Sequence, residues 1–230
     1  ERVVKELIRF IYVIAGNLHR AWMIPLMGYY SRRPEKYSDR FRYEYNKHAI
    51  RVMNHTGRIY TQAYGAENLP KDGGYVMFAN HQGKYDALGI MLTHEEPCSV
   101  VMDEARSKMP LVKQFIDMVG GKRLCLHDLR QAARVIREVS KEVEYGRKYI
   151  IFPAGGYSHR NGNHVDVFKA GSFKSAMRAK APIVPVALVD SWKVFDLWSL
   201  RKVNTQVYYL KPIPYEEYRD MKSVEVAKLV

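Results

Sequence analysis

From residue 57 onward, short apolar runs rich in β-branched and aromatic residues alternate with stretches of helical periodicity. Runs predicted to be strands lie at residues 58–64, 75–79, 98–102, 123–126, 148–152, 182–189 and 205–211. Helices are predicted between them, at residues 84–93, 110–121, 128–143 and 171–180. Such alternation favours a mostly parallel sheet with helices on its faces. The sequence therefore predicts an α/β fold.

The most apolar part of the chain, residues 7–30, precedes this alternation. Its uncharged windows are only about ten residues long, because three basic residues interrupt them: Arg9, His19 and Arg20. A membrane-spanning helix needs ~20 apolar residues. We therefore predict an amphipathic helical hairpin in the membrane interface, with a pair of core helices or a true span as alternatives. The predicted division is residues 1–40 for these helices and a linker, and 41–230 for the α/β domain.

The chain is strongly basic, with 37 Lys and Arg against 24 Asp and Glu, a net charge of +13. Such a surface attracts nucleic acid, an anionic membrane, an acidic carrier protein or phosphorylated substrates. The basic residues are dispersed and form no recognisable nucleic-acid module, so nucleic acid is the least favoured of these partners. Two cysteines, Cys98 and Cys125, provide no disulfide framework or Cys-rich metal site, which is typical of a protein that faces the cytosol.

A histidine and a carboxylate flank the turn that follows the second predicted strand. His81 comes directly after the apolar run and Asp86 opens the next helix. Residues five apart on one helix point about 140° away from each other, so the two can pair only if His81 lies in the turn. A carboxylate on one ring nitrogen fixes the tautomer and supports the imidazolium that forms during proton transfer. Alternatively, Asp86 only caps the helix and His81 is only a loop residue; the spacing leaves both open.

A glycine-rich segment follows the predicted strand at 148–152. It begins Pro153-Ala154-Gly155-Gly156 and continues to Arg160. Glycines after a strand let backbone N–H groups face an anion, and an arginine adds charge. A plain surface loop rich in turn formers is an equally good interpretation. Signatures of other enzyme classes are absent: there is no G-x-S-x-G, no H-E-x-x-H and no Walker loop.

Together these motifs resemble the 1-acylglycerol-3-phosphate acyltransferase family, a group of glycerolipid acyltransferases. The family's first motif, N-H-x-x-x-x-D, is matched by Asn80, His81 and Asp86. Its third, F-P-E-G-T-R-S, is matched in part by residues 152–158, and its fourth, a strand with a central proline, by the strand around Pro185. Its second has an arginine ahead of a helix, for which Arg123 and Arg130 are the candidates. The order and spacing agree from residue 65 to 190.

The resemblance implies acyl transfer without a metal or other cofactor. His81, held by Asp86, would take the proton of an acceptor hydroxyl, whose oxygen attacks the thioester of acyl-CoA or an acyl carrier protein. The implied acceptor is a lysophospholipid, foremost 1-acylglycerol-3-phosphate. The implied location is the cytoplasmic face of an anionic membrane, as a peripheral or monotopic protein. The implied substrate-binding residues are Asn80, Lys84, Arg123, Arg130, Ala154, Gly155, Gly156, Tyr157, Ser158, Arg160 and Pro185.

Two departures from the family pattern affect the third motif. Ala154 stands where the family has Glu, and Gly156-Tyr157 stands where it has Thr-Arg. The family's Arg is thought to hold the acceptor's phosphate, so that role would pass to Arg160, Lys84 or Arg123. Loss of the carboxylate predicts a low-activity variant, whether engineered or natural. The alternatives are a non-catalytic membrane or lipid-binding module of the same fold, and a thioester or lipid hydrolase.

Overall fold

A seven-stranded sheet organises the chain, whose computed structural model describes residues 8–156 and 162–230. Its strands are β1 Ile59–Tyr64, β2 Tyr75–Ala79, β3 Cys98–Asp103, β4 Lys122–Leu124, β5 Lys148–Ile151, β6 Ile183–Val189 and β7 Val203–Tyr209. Their spatial order is β1-β7-β6-β2-β5-β3-β4. Within the described chain, β6 and β7 pair antiparallel and the other neighbours pair parallel. The predicted mostly parallel sheet is confirmed.

Helices cover both faces of this sheet because successive strand side chains point to opposite sides. The helices are α1 Ile8–Gly16, α2 Met23–Ser31, α3 Asp39–Gly57, α4 Asp86–Thr93, α5 Glu104–Ser107, α6 Val112–Met118, α7 Leu129–Glu144, α8 Lys174–Ala179, α9 Lys193–Asp196, α10 Tyr215–Tyr218 and α11 Ser223–Leu229. Met77 and Ala79 of β2 face α3, α4 and α6, whereas Val76 and Phe78 face α7, α8 and α11. Each face buries its own apolar cluster, so β2 is buried along its whole length, as a central parallel strand should be.

The predicted N-terminal hairpin consists of two short helices, α1 and α2, which pack against α3 rather than along each other, and one side of the pair belongs to the core. Met23 and Met27 pack against Ala49 and Met118 of the α/β domain. The opposite side exposes large apolar side chains: Ile11, Tyr12, Ile14, Leu18 and Trp22. These helices are thus partly core helices, one of the predicted alternatives, and they also expose an apolar surface; their place in a membrane interface stays a prediction. No helix in the described ranges is long and apolar enough to cross a membrane.

Arg9 fastens α1 to the rest of the fold. Its buried guanidinium donates to the carbonyl oxygens of Gly57, Ser199 and Arg201. The predicted boundary at residue 40 lies beside the start of helix α3. Helix α3 begins at Asp39, where the Ser38 side chain accepts the Phe41 N–H, so the boundary would fall inside the first turn of a helix. The hairpin and the α/β domain therefore share a core, and deleting residues 7–30 would expose part of it.

A buried histidine lies at the other end of the sheet from the predicted site. The Tyr75 hydroxyl lies 2.7 Å from His94 Nε2, and the Glu96 carbonyl oxygen lies 2.6 Å from His94 Nδ1. A carbonyl oxygen only accepts, so Nδ1 carries the proton and Nε2 accepts from the tyrosine. Burial is the largest cause that lowers the pKa of His94, to about 4. His94 is therefore neutral in the folded protein at pH 7.

This depressed pKa predicts a loss of stability in mild acid. Between pH 6.5 and pH 4 the unfolded chain protonates His94 while the folded protein does not, so acid favours unfolding. We expect this group alone to lower the free energy of unfolding by about 3 kcal/mol across that window. The measurement is urea unfolding at several pH values for the parent and His94→Gln. The variant should be less stable at pH 7, and its free energy of unfolding should fall less steeply as the pH is lowered. If the free energies of the two proteins fell in parallel, the depressed pKa of His94 would be wrong.

Candidate active site

The predicted site lies at one edge of the sheet, where β2 and β5 end side by side. The two strands are parallel neighbours, so their carboxyl ends meet at the same edge. The turn at residues 80–85 follows β2, and the segment at residues 152–156 follows β5. In open α/β sheets this edge is where ligands bind. Two segments separated by about seventy residues of sequence are thereby brought together.

His81 and Asp86 pair as the sequence predicted. His81 Nδ1 lies 2.7 Å from Asp86 Oδ2, and the same oxygen accepts the backbone N–H groups of Gln82 at 2.5 Å and Gly83 at 2.9 Å. Asp86 is buried at the start of α4, where a carboxylate is favoured by the helix dipole. The carboxylate therefore both organises the turn and orients the imidazole. With Nδ1 bonded to Asp86, proton exchange with a substrate falls to Nε2.

The His81 ring is held from the side by Phe152, the first residue of the third motif. It stacks on the ring of Phe152, with centroids 4.4 Å apart and planes 25° from parallel. The imidazole is nevertheless 18% exposed, so a ligand can reach it. Two independent contacts, one hydrogen bond and one stacked ring, thus leave the ring little rotational freedom. This preorganisation is what a general base needs.

Two buried amides anchor the turn to the end of β6. The Asn80 side chain accepts the Leu188 N–H at 2.7 Å and donates to the Leu188 carbonyl at 3.0 Å. Gln82, which the sequence did not single out, accepts the Ser191 N–H at 3.0 Å and donates to Asn163 Oδ1 at 3.0 Å. Asn80 was predicted to bind substrate, but its amide is engaged in joining β2 to β6. We assign both residues a positioning role for His81.

Lys169, which the sequence did not single out, lies over the glycine segment that follows β5. Gly155 has a φ of 75°, and a Cβ there would lie 2.7 Å from Lys169 Nζ. The Lys169 N–H donates to the Pro153 carbonyl at 2.9 Å, which fixes the lysine over the segment. Within the described chain, no carboxylate pairs with this ammonium group. Ala154 is half-buried beside it, and the Cβ position of Gly156 faces open space.

The other predicted substrate-binding cations are more dispersed. Lys84 Nζ lies 3.0 Å from Asp196 Oδ1, and Arg123 Nη2 lies 2.5 Å from Asp117 Oδ1. Arg123 lies on β4, three strand spacings or about 14 Å from β2, and Arg130 is exposed in the first turn of α7. These residues are not brought into contact with His81, and two of them already neutralise carboxylates.

Pro185, a further predicted substrate-binding residue, is part of the sheet. Pro185 is buried within β6 beside Phe78, and its carbonyl accepts the Leu210 N–H at 3.0 Å. Proline has no N–H, and at position 185 this costs only one hydrogen bond at the end of the β6–β7 ladder. Pro185 therefore belongs to the sheet framework rather than to a substrate-facing surface. Tyr157, Ser158 and Arg160 lie outside the described residues.

A family model for acyltransferases matches residues 61–189, more than half of the chain. The chain belongs to the acyltransferase family. The matched range contains the His81–Asp86 pair, the glycine segment and Lys169, so the geometry described above lies within the part that defines the family. The resemblance read from the sequence is thereby confirmed.

Named relatives of this acyltransferase include 1-acyl-sn-glycerol-3-phosphate acyltransferases. The Borreliella burgdorferi protein is 28% identical over 131 residues, 57% of this chain and 52% of its own. The human alpha protein is 27% identical over 172 residues, 69% of this chain and 56% of its own. The chain thus spans about half the length of the curated relatives it matches. The fold matches the crystal structure of PlsC, an LPA acyltransferase from Thermotoga maritima, with a TM-score of 0.75 at 19% identity, covering 100% of this chain and 94% of that one.

Proposed function

We propose that the protein transfers a fatty acyl group from a thioester donor, acyl-CoA or an acyl carrier protein, to a lysophospholipid. The foremost acceptor is 1-acylglycerol-3-phosphate, which would give phosphatidic acid in phospholipid biosynthesis. The observation that carries the proposal is the His81–Asp86 pair at the ligand-binding edge of the sheet. The names of the relatives support the choice of acceptor.

The proposed reaction needs one proton carrier and no covalent enzyme intermediate. His81 Nε2 takes the proton of the acceptor hydroxyl while its oxygen attacks the thioester carbonyl carbon. Asp86 stabilises the imidazolium through Nδ1–H. Collapse of the tetrahedral intermediate breaks the C–S bond, and the imidazolium returns its proton to the thiolate. Backbone N–H groups of the glycine segment, where Gly156 leaves open space, would stabilise the oxyanion.

Lys169 supplies the charge that the third motif lacks at position 157. It lies over Gly155, and in the described chain its ammonium group has no carboxylate partner, whereas Lys84 and Arg123 do. We therefore add Lys169 to Arg160, Lys84 and Arg123 as a ligand for the acceptor's phosphate. Ala154 leaves the segment without the family's carboxylate, which supports the proposal of a slow enzyme.

Two sets of exposed apolar side chains support a membrane-bound location. One is the outer side of the hairpin described above. The other follows β3, β4 and β5 at the catalytic edge and consists of Met109, Leu126, Leu129, Val165 and Val167. A lipid acceptor must reach His81 from a bilayer, so an apolar rim at that edge is functionally reasonable. With the net charge of +13, we propose a peripheral or monotopic protein on the anionic cytoplasmic face.

Product analysis tests the proposed activity. Vesicle-bound protein is mixed with acyl-CoA or acylated carrier protein, with and without lysophosphatidic acid, and the products are read by mass. We expect phosphatidic acid when the acceptor is present. Free fatty acid formed equally without acceptor would instead identify a hydrolase. Lipid binding without turnover, in both the parent and Ala154→Glu, would identify a lipid-binding module.

The membrane surface is tested by placing charge on the outer side of the hairpin. Leu18 and Trp22 are 65% and 58% exposed, so Leu18→Glu combined with Trp22→Glu should leave folding intact. Loss of two apolar insertions should weaken binding to phosphatidylglycerol vesicles by at least about tenfold in a sedimentation assay. Tyr145→Glu is the matched control, because Tyr145 is 91% exposed at the end of α7, before β5 begins. Equal vesicle binding by the parent, the double variant and Tyr145→Glu would show that this surface does not contact the membrane.

A further inference from the structure

A cavity outside the His81 site lies between α3 and the first residues of β1 and β7. Its volume is about 390 Å³, and its walls include Arg51, Asn54 and His55 of α3, Tyr60 of β1, and Lys202. It is much larger than a phosphate ion needs. None of the motifs discussed above accounts for it.

The cavity is positively charged. Arg51, His55 and Lys202 line it, and no Asp or Glu of the described chain does. Neither Arg51 nor Lys202 forms an ion pair within the described ranges. Lys202 Nζ lies 4.2 Å from the ring centroid of the half-exposed Tyr60, so a cation and an aromatic surface adjoin. An anionic group attached to a flat ring system fits this combination.

Asn54 adds an unsatisfied buried polar group to the same wall. Its Nδ2 donates to the Tyr85 hydroxyl at 2.7 Å, and its Oδ1 has no hydrogen-bond partner in the described chain. Either orientation of the amide leaves one buried polar atom without a partner in the described chain. Buried polar atoms are usually paired, so an exception that lines a cavity points to a bound group. Tyr85 directly precedes Asp86, which connects this wall to the catalytic turn.

Part of the cavity wall, the first residues of β1 and the residue before β7, lies at the catalytic edge of the sheet. Strands β7 and β1 run opposite to β6 and β2, so β1 begins at the edge where β2 ends. Three strand spacings separate β1 from β2, about 14 Å. The pantetheine arm of coenzyme A, an extended chain with two amide groups, joins a phosphorylated nucleotide to the thioester. A nucleotide in this cavity would therefore leave its thioester within reach of His81.

We propose that this cavity binds the phosphorylated adenine nucleotide of an acyl-CoA donor. Arg51 and Lys202 contact its phosphates, Tyr60 stacks on the base, and Asn54 hydrogen-bonds a polar group of the nucleotide. The assignment rests on the proposed acyl transfer and specifies the donor, since an acyl carrier protein has the pantetheine arm and one phosphate but no nucleotide.

The test removes the two exposed cations with the double substitution Arg51→Ala and Lys202→Ala. Calorimetry with coenzyme A and with adenosine 3′,5′-bisphosphate should show affinities lower by at least about tenfold, because two phosphate contacts are lost. The KM for acyl-CoA should rise by a similar factor, while the KM for acyl-phosphopantetheine and the kcat stay unchanged. Arg137→Ala with Lys141→Ala, two exposed cations on α7, removes the same charge elsewhere and should change neither value.

Three other outcomes contradict the proposal. Equal losses of coenzyme A affinity in both double variants would show that binding depends only on the net charge of the protein. Weaker binding of lysophosphatidic acid with unchanged coenzyme A binding would assign the cavity to the acceptor's phosphate. Absence of coenzyme A binding by the parent protein would exclude the nucleotide site. The binding arm needs no turnover, so coenzyme A binding without phosphatidic acid formation would refute the proposed activity and leave the cavity assignment standing.

Discussion

Replacing His81 with alanine should lower kcat by ~10² to 10⁴, the usual contribution of a general base. In the proposed reaction the imidazole takes the acceptor's proton, and no other described side chain is paired with Asp86 to replace it. The measurement is the initial rate of thiol release from acyl-CoA with lysophosphatidic acid present. If the parent is slow, the substitution is made in the Ala154→Glu background.

The fold should survive the loss of His81, because the Asp86 carboxylate retains its two backbone donors, Gln82 and Gly83. His48→Ala provides the matched control, since this exposed histidine of α3 lies outside the site. Thermal unfolding of all three proteins separates lost chemistry from lost structure. An acyl transfer rate that survives in His81→Ala would remove the residue from the mechanism.

Ala154→Glu should raise the rate of acyl transfer by at least about tenfold, equivalent to ~1.4 kcal/mol of transition-state stabilisation. Ala154 is half-buried on the glycine segment, between Phe152, which supports His81, and Gly155, over which Lys169 lies. A carboxylate there gains a cation next to it and can hold the segment in the geometry that the substrate requires. The assay is the same rate of thiol release, compared between the two forms.

The control for this substitution is Ala154→Gln, which has the same size without the charge. A gain with Glu alone would show that the carboxylate acts, whereas a gain with both would show a packing effect. If the parent is already as fast as Ala154→Glu, the carboxylate has no catalytic role in this chain. A slower Ala154→Glu would indicate that the new charge takes Lys169 away from the acceptor's phosphate.

The sheet could be predicted because strand and helix periodicities are local signals, and the His81–Asp86 pair because both residues lie in one turn. The contacts that the sequence did not reveal join distant segments. Lys169 reaches Gly155 across fourteen positions, and Asn80 bonds a residue 108 positions away. Nothing in the local pattern around Asn80 distinguishes an amide that binds substrate from one that joins two strands.

The three carbonyl contacts of Arg9 have a consequence for biosynthesis. Its partners lie 48, 190 and 192 positions later in the chain, so α1 cannot complete its attachment until residue 201 has emerged from the ribosome. At typical rates of synthesis that interval is about 10 to 40 s. During it, α1 lacks two of its three carbonyl contacts, and its exposed apolar side chains are available to a nearby bilayer or a chaperone. A segment made early is thus fully attached only after a residue 192 positions later has been made.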